Sequence, residues 1–165
     1  MNPKIVCYIS GEFDAAHRLD KHPGKCKRIH GHRYKAILGV SGDVDPKTGM
    51  VVDFGDLKKI WLGFLKYFDH HMLISKDTAT DVIVEKEEKS SWAPVFFQDE
   101  NLSEAYPKMW LCKDFVVFDR EPTAETMASF LFYSMTKIMQ SCVVEKVVLY
   151  ETPNCWVEIS RQDGE

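Results

Sequence analysis

CKRIHGHRY, residues 26–34, sets two histidines either side of a glycine, just ahead of a segment (33–42) rich in β-branched and aromatic residues. Such a segment reads as a strand. On an extended backbone, residues i and i+2 face the same way, so the imidazoles of His30 and His32 can reach one ion. A second strand-like segment, 3–14, precedes it, and His17 at its end could supply a third nitrogen. Three histidines leave a zinc ion one open position, the pattern of a catalytic rather than a structural site. Gly31 lets the backbone come close to a ligand or a neighbouring chain. The competing reading of an HxH by itself is a pair of ordinary surface or cleft histidines. Cys26 is flanked by Lys25, Lys27 and Arg28, and nearby positive charge favours a reactive thiolate.

Outward from this stretch the pattern is regular. The segment GDVDPKTGM after residue 41 carries Asp-Pro and Thr-Gly turn signals. Leu57, Ile60, Trp61, Phe64, Leu65 and Phe68 then follow helical spacing, with Asp53 as a cap and Asp56 suited to the positive end of the helix. A second helix should start near Pro122 and Thr123, with Met127, Phe130, Leu131, Ser134 and Ile138 on one face. Two strands follow, the first placing Val147, Leu149 and Glu151 on one face, the second covering 156–159. Strand, strand, helix, helix, strand, strand predicts an α+β fold: an antiparallel sheet with helices on one face. Residues 76–118 are the least regular. They hold the charged run EKEEK (85–89) and aromatics at 92, 96, 106 and 110, and an insertion of this length serves as a lid or an interface element.

The 165 residues fit a single domain spanning 1–165. A net charge of −4 and a pI of about 5.9 exclude a basic face for nucleic acid. No apolar run suits a membrane span, and MNPKIVCYIS lacks the apolar core of a signal peptide, so a cytosolic protein is expected. Five cysteines at irregular spacing, none in CxxC, indicate neither a disulfide framework nor a zinc ribbon.

Two further constellations stand out. In Asp69-His70-His71 a carboxylate beside an imidazole can orient it, although adjacent residues do not easily face one another; a polar helix terminus is the simpler reading. Glu151 ends an apolar strand, where a carboxylate is either solvated or accepts two parallel N–H bonds from a planar ligand.

Taken together, FDAAHRL (13–19), CKRIHGHRY (26–34), GDVDPKTGMVVDF (42–54), DHHML (69–73), PTAE (122–125) and YETPN (150–154) resemble the 6-pyruvoyl-tetrahydropterin synthase / 6-carboxy-tetrahydropterin synthase family. The resemblance implies the tunnelling fold: a four-stranded antiparallel sheet carrying two helices, closed into an oligomeric barrel of trimers or hexamers with active sites between subunits. It implies His17, His30 and His32 as zinc ligands, Cys26 as catalytic acid or base, and Asp69 with His70 rather than His71 as its partners. Glu151 would anchor the pterin and join the proton relay, with Thr123 and Glu125 flanking the ring. Three residues between Cys26 and His30 resemble the 6-carboxy-tetrahydropterin synthases of queuosine and deazapurine synthesis, which convert 7,8-dihydroneopterin triphosphate to 6-carboxytetrahydropterin, acetaldehyde and triphosphate. The alternatives are the pyruvoyl synthase, which eliminates triphosphate without breaking a carbon–carbon bond, and a non-catalytic zinc- or pterin-binding module. Residues 72–121 between DHH and PTAE depart from the short family pattern.

Overall fold

A computed structural model describes residues 4–83, 93–94 and 106–162. Strand β1 (Val6–His17) runs into a short 3-10 turn (Lys25–Lys27) and returns as β2 (His30–Ser41); helix α1 (Phe54–Leu65) follows. Next come β3 (Met72–Ser75), helix α2 (Lys76–Ile83) and the short strands β4 (Ala93–Pro94), β5 (Met109–Cys112) and β6 (Phe115–Phe118). Helix α3 (Ala124–Ile138) leads to the closing hairpin, β7 (Val143–Thr152) and β8 (Cys155–Ser160).

The expected antiparallel four strands are present as β1-β2-β7-β8, but the sheet does not stop there. Among the described residues it has eight strands, in the order β4-β5-β6-β3-β1-β2-β7-β8. It is also mixed, because β3 lies parallel to both β1 and β6. The additions come from β3 and from the stretch expected to be least regular. Met72–Ser75 and Phe115–Phe118 are four-residue apolar runs whose last three residues are buried, too short to show a period in the sequence. Helix α2 is a third helix that the sequence reading did not contain. The EKEEK run, Trp92 and Phe96 lie outside the described residues.

Helices α1 and α3 form the layer over the sheet. Asp53 caps α1, its side chain accepting from the N–H groups of Gly55 and Asp56. Leu57, Trp61, Phe64 and Leu65 face inward as expected, whereas Ile60 is 37% exposed at the margin of the apolar stripe. Gly11 of β1 admits this helix: a Cβ there would stand 2.5 Å from Leu62 Cδ2. Thr123 caps α3 by accepting from Thr126 N–H, and Met127, Phe130, Leu131 and Ser134 are buried beneath it. Phe13, Tyr34, Ala36, Leu38, Val147 and Leu149 supply the sheet side of this core. Each fully buried large side chain contributes about 1.5–3 kcal/mol. The core line Phe13, Ala15 on β1 continues directly into His17, which is fully buried. The strand alternation that builds the core therefore also aims the histidine.

Candidate metal centre

The β1–β2 ladder pairs His17 with His30, Ala15 with His32 and Phe13 with Tyr34. All six side chains lie on the helix-covered face, so three imidazoles gather at one end of the sheet. Their ring nitrogens lie within 4.8 Å of one another. Gly31 sits between the two β2 histidines, and a Cβ there would approach the Ala15 carbonyl to 3.2 Å. The close approach expected of this glycine is thus made to the neighbouring strand.

Hydrogen bonds fix which nitrogen each ring offers. His17 Nδ1 lies 3.2 Å from the Pro122 carbonyl, and His30 Nδ1 lies 2.8 Å from that of Arg28. A carbonyl only accepts, so both Nδ1 atoms carry the proton and both Nε2 atoms of the neutral rings present lone pairs. Those two Nε2 atoms face each other at 3.0 Å. Two lone pairs at that separation need a proton or a cation between them. His32 Nε2 is buried with no hydrogen-bond partner among the described residues. Three convergent nitrogens, two held by carbonyl acceptors behind them, fit a metal ion.

Two groups that share this face were not fully legible beforehand. Glu151 stands at an irregularity in the β7–β8 register, between Tyr150 and Thr152. Its Oε1 lies 3.5 Å from His17 Nε2 and 3.9 Å from His32 Nε2. The expected ligand anchor is therefore at the histidine cluster itself. Tyr34, which the sequence reading passed over, packs edge-on against His17 and His32 with ring centroids 6.2 and 5.6 Å away. Its hydroxyl is buried without a partner among the described residues, and burial together with the Glu151 carboxylate pushes the phenol well above its usual pKa. Its position two residues beyond His32 was the available signal.

Asp69 and His70 do face each other, contrary to the expectation for adjacent residues. His70 adopts φ +60°, and this left-handed turn brings its Nδ1 to 2.9 Å from Asp69 Oδ2. A non-glycine residue pays about 1–2 kcal/mol for that conformation, and such strain concentrates at functional sites. Asp69 Oδ1 accepts from Asp14 N–H at 2.9 Å, and this bond, then the His70 ring, holds the Asp69 carboxyl below the usual range. Asp14 is itself bound by Arg33 through two hydrogen bonds, and Arg33 lowers its pKa. The Asp69–His70 pair is thus fastened to the main chain of β1 at Asp14, and among the described residues no hydrogen bond or ion pair joins it to the three histidines. A cleft of about 670 Å³ lies beside the pair, lined by Asp14, His32, Arg33, His70, His71 and Asp114 among others. The His71 ring is tied to the Asp69 carbonyl at 2.8 Å.

Cys26 lies in the 3-10 turn before β2 as a free, half-buried thiol. Among the described residues, no hydrogen bond or ion pair joins it to Asp69 or His70. Thr123 serves as the α3 cap, and Glu125 is exposed in the first turn of that helix. One chain thus unites His17, His30, His32 and Glu151, and separately Asp69 with His70.

The buried imidazoles carry a pH prediction. Burial, ahead of all other causes, holds His17 and His32 below the ordinary value of 6.5. The unfolded chain then binds these protons more readily than the folded one. Their contribution is complete above about 6.5 and is lost as pH falls through the depressed values. The melting temperature of metal-free protein should therefore fall between about pH 7.5 and 5, above the carboxylate range. A flat profile in thermal unfolding there would contradict the burial of these rings.

A family model described as 6-pyruvoyl tetrahydropterin synthase matches residues 7–162. A Rickettsia conorii protein named 6-carboxy-5,6,7,8-tetrahydropterin synthase is 31% identical over 161 residues, covering 94% of this chain and 99% of its own. A Haemophilus influenzae protein of the same name is 34% identical over 150 residues, covering 88% and 92%. Among solved structures, an uncharacterized Wolinella succinogenes protein superposes with a TM-score of 0.72 at 21% identity, covering 96% of this chain and 99% of that one. The 6-pyruvoyl tetrahydropterin synthase of Caenorhabditis elegans gives 0.62 at 25% identity, covering 97% of each chain. With its histidine cluster at the end of a helix-covered β1–β2 ladder, and with a family match over nearly its whole length, this chain belongs to the 6-pyruvoyl tetrahydropterin synthase family.

Proposed function

We propose that the protein is a zinc-dependent 6-carboxy-5,6,7,8-tetrahydropterin synthase of the cytosol, serving queuosine and deazapurine synthesis. It would convert 7,8-dihydroneopterin triphosphate and water to 6-carboxytetrahydropterin, acetaldehyde and triphosphate. The observation that carries this reading is the three-histidine cluster with a free thiol four positions before its second member, in a chain whose relatives bear that name. His17, His30 and His32 would hold zinc, which supplies Lewis acidity that makes hydroxyl groups on the substrate side chain more acidic. Glu151, aimed into the same space, would accept two N–H bonds from the pterin ring or help move a proton. Cys26 would take and return protons at the substrate side chain. Exposed Lys25, Lys27 and Arg28 suit the triphosphate. Five free cysteines suit a reducing compartment.

Asp69 and His70 would act on a neighbouring subunit's thiol, in a trimer or hexamer. Two open sheet edges support such an assembly. Among the described residues, 6–13 of β1 pair with β2 alone, and β8 pairs with β7 alone. The test is anaerobic incubation of zinc-loaded protein with 7,8-dihydroneopterin triphosphate, reading acetaldehyde and product mass together. Acetaldehyde with a carboxytetrahydropterin is expected. A pyruvoyl product without acetaldehyde would move the chain to the other branch of the family, and zinc retention with no turnover would support a binding module.

A further inference from the structure

We propose that helix α2 positions the loop carrying Cys26, through a hydrogen-bond chain from Ser75 to Thr78 to Asp20. The loop between β1 and β2 is held together by its own backbone. Leu19 N–H donates to the Cys26 carbonyl at 3.0 Å, His22 N–H to Leu19, Lys27 N–H to Gly24 and Arg28 N–H to Lys25. Asp20 is the residue next to that Leu19–Cys26 bond, and its side chain leaves the loop for α2. Thr78 donates its hydroxyl to Asp20 Oδ2, and Arg18 Nε pairs with Asp20 Oδ1.

The direction of the chain follows from donor counting. An ionised carboxylate only accepts, so the one Thr78 hydroxyl proton points at Asp20. Ser75 Oγ, 2.9 Å from Thr78 Oγ1, must then donate to it, while accepting from Thr78 N–H at 3.1 Å. Hydroxyls in series polarise one another and strengthen the terminal bond to the charge. Ser75 and Thr78 are each only 2% exposed, so water does not compete for the bonds between them. The neighbouring pair Lys21–Asp77, at 3.0 Å, is exposed on both sides and adds little. Three anchors therefore meet at residues 18–20: the Arg18 N–H bond to the Leu73 carbonyl, the Leu19 bond to Cys26, and the Asp20 bond to Thr78. The loop is fixed to β3 and α2, elements absent from the four-strand, two-helix plan. Here α2 acts as a brace for the thiol.

The inference rests on the reading of Cys26 as the catalytic thiol, and its test separates the two. Thr78→Val keeps the shape and removes the hydroxyl; Thr78→Ser restores it; Asp20→Asn weakens the same bond from the other end. The first readout is the rate of iodoacetamide alkylation at Cys26, measured by peptide mass relative to exposed Cys155 in the same chain. That ratio should change several-fold in Thr78→Val and Asp20→Asn and return to wild type in Thr78→Ser. The second readout is turnover. In Thr78→Val, kcat should fall by about 10–100-fold, as a misplaced group does, with KM and zinc content unchanged. An unchanged alkylation ratio in both weakened variants overturns the proposal, whatever happens to kcat. If wild-type protein fails to turn over the pterin triphosphate, the proposed reaction falls, while the alkylation ratio still decides whether α2 holds the thiol.

Discussion

His32→Ala should strip the protein of its metal and leave the sheet standing. The imidazole presents Nε2 into the cluster with no other partner among the described residues, so its removal takes away a ligand and no structural hydrogen bond. Loss of an outer-shell partner alone costs about 10–100-fold in metal affinity, and loss of one of three protein ligands should exceed that. The backbone ladder is untouched, because His32 pairs with Ala15 through main-chain groups that alanine retains. Zinc content after dialysis, by elemental analysis, should fall from stoichiometric to trace, with the far-ultraviolet dichroism of the wild type. His71→Ala is the matched control: its ring is tied to the Asp69 carbonyl, away from the cluster, and zinc should stay. Zinc retained at full affinity in His32→Ala would mean that the cluster is not the metal site.

That site could be read from the sequence because strand geometry and ligand geometry share a period. Residues 30, 32 and 34 point one way, and the same alternation carries 13, 15 and 17 on the partner strand. The Asp53 cap and the start of α3 near Thr123 were legible for a similar reason, since a cap acts within three residues of itself. The parts that escaped depend on distant or unusual backbone. Strands β3 and β6 are four residues long, and their parallel pairing depends on partners forty-odd positions apart, with no local mark in either. Helix α2 is eight residues long and mostly polar, and its anchor to Asp20 spans 58 positions. The Asp69–His70 contact needs a left-handed histidine, which no propensity announces. Glu151 reaches the histidines at a break in strand register that YETPN alone does not reveal.

Cys26→Ala should lower turnover by about 10²–10⁴-fold, the usual contribution of a positioned acid or base, with zinc content and pterin affinity unchanged. The thiol is no part of the three-nitrogen cluster, and the bond that seats its residue uses the backbone carbonyl, which alanine keeps. Full turnover in this variant would remove Cys26 from the mechanism. The same variant tests where its partners come from. In one chain the Asp69–His70 pair is bound to the main chain of Asp14 rather than to the Cys26 turn. If a neighbouring subunit supplies that pair, Cys26→Ala and His70→Ala subunits carry complementary defects. Dissociated, mixed and reassembled, they should recover part of the wild-type turnover, because some mixed sites combine an intact thiol with an intact pair. A site built within one chain would gain nothing from mixing, and persistent inactivity in verified mixed oligomers would place the proton relay inside the subunit.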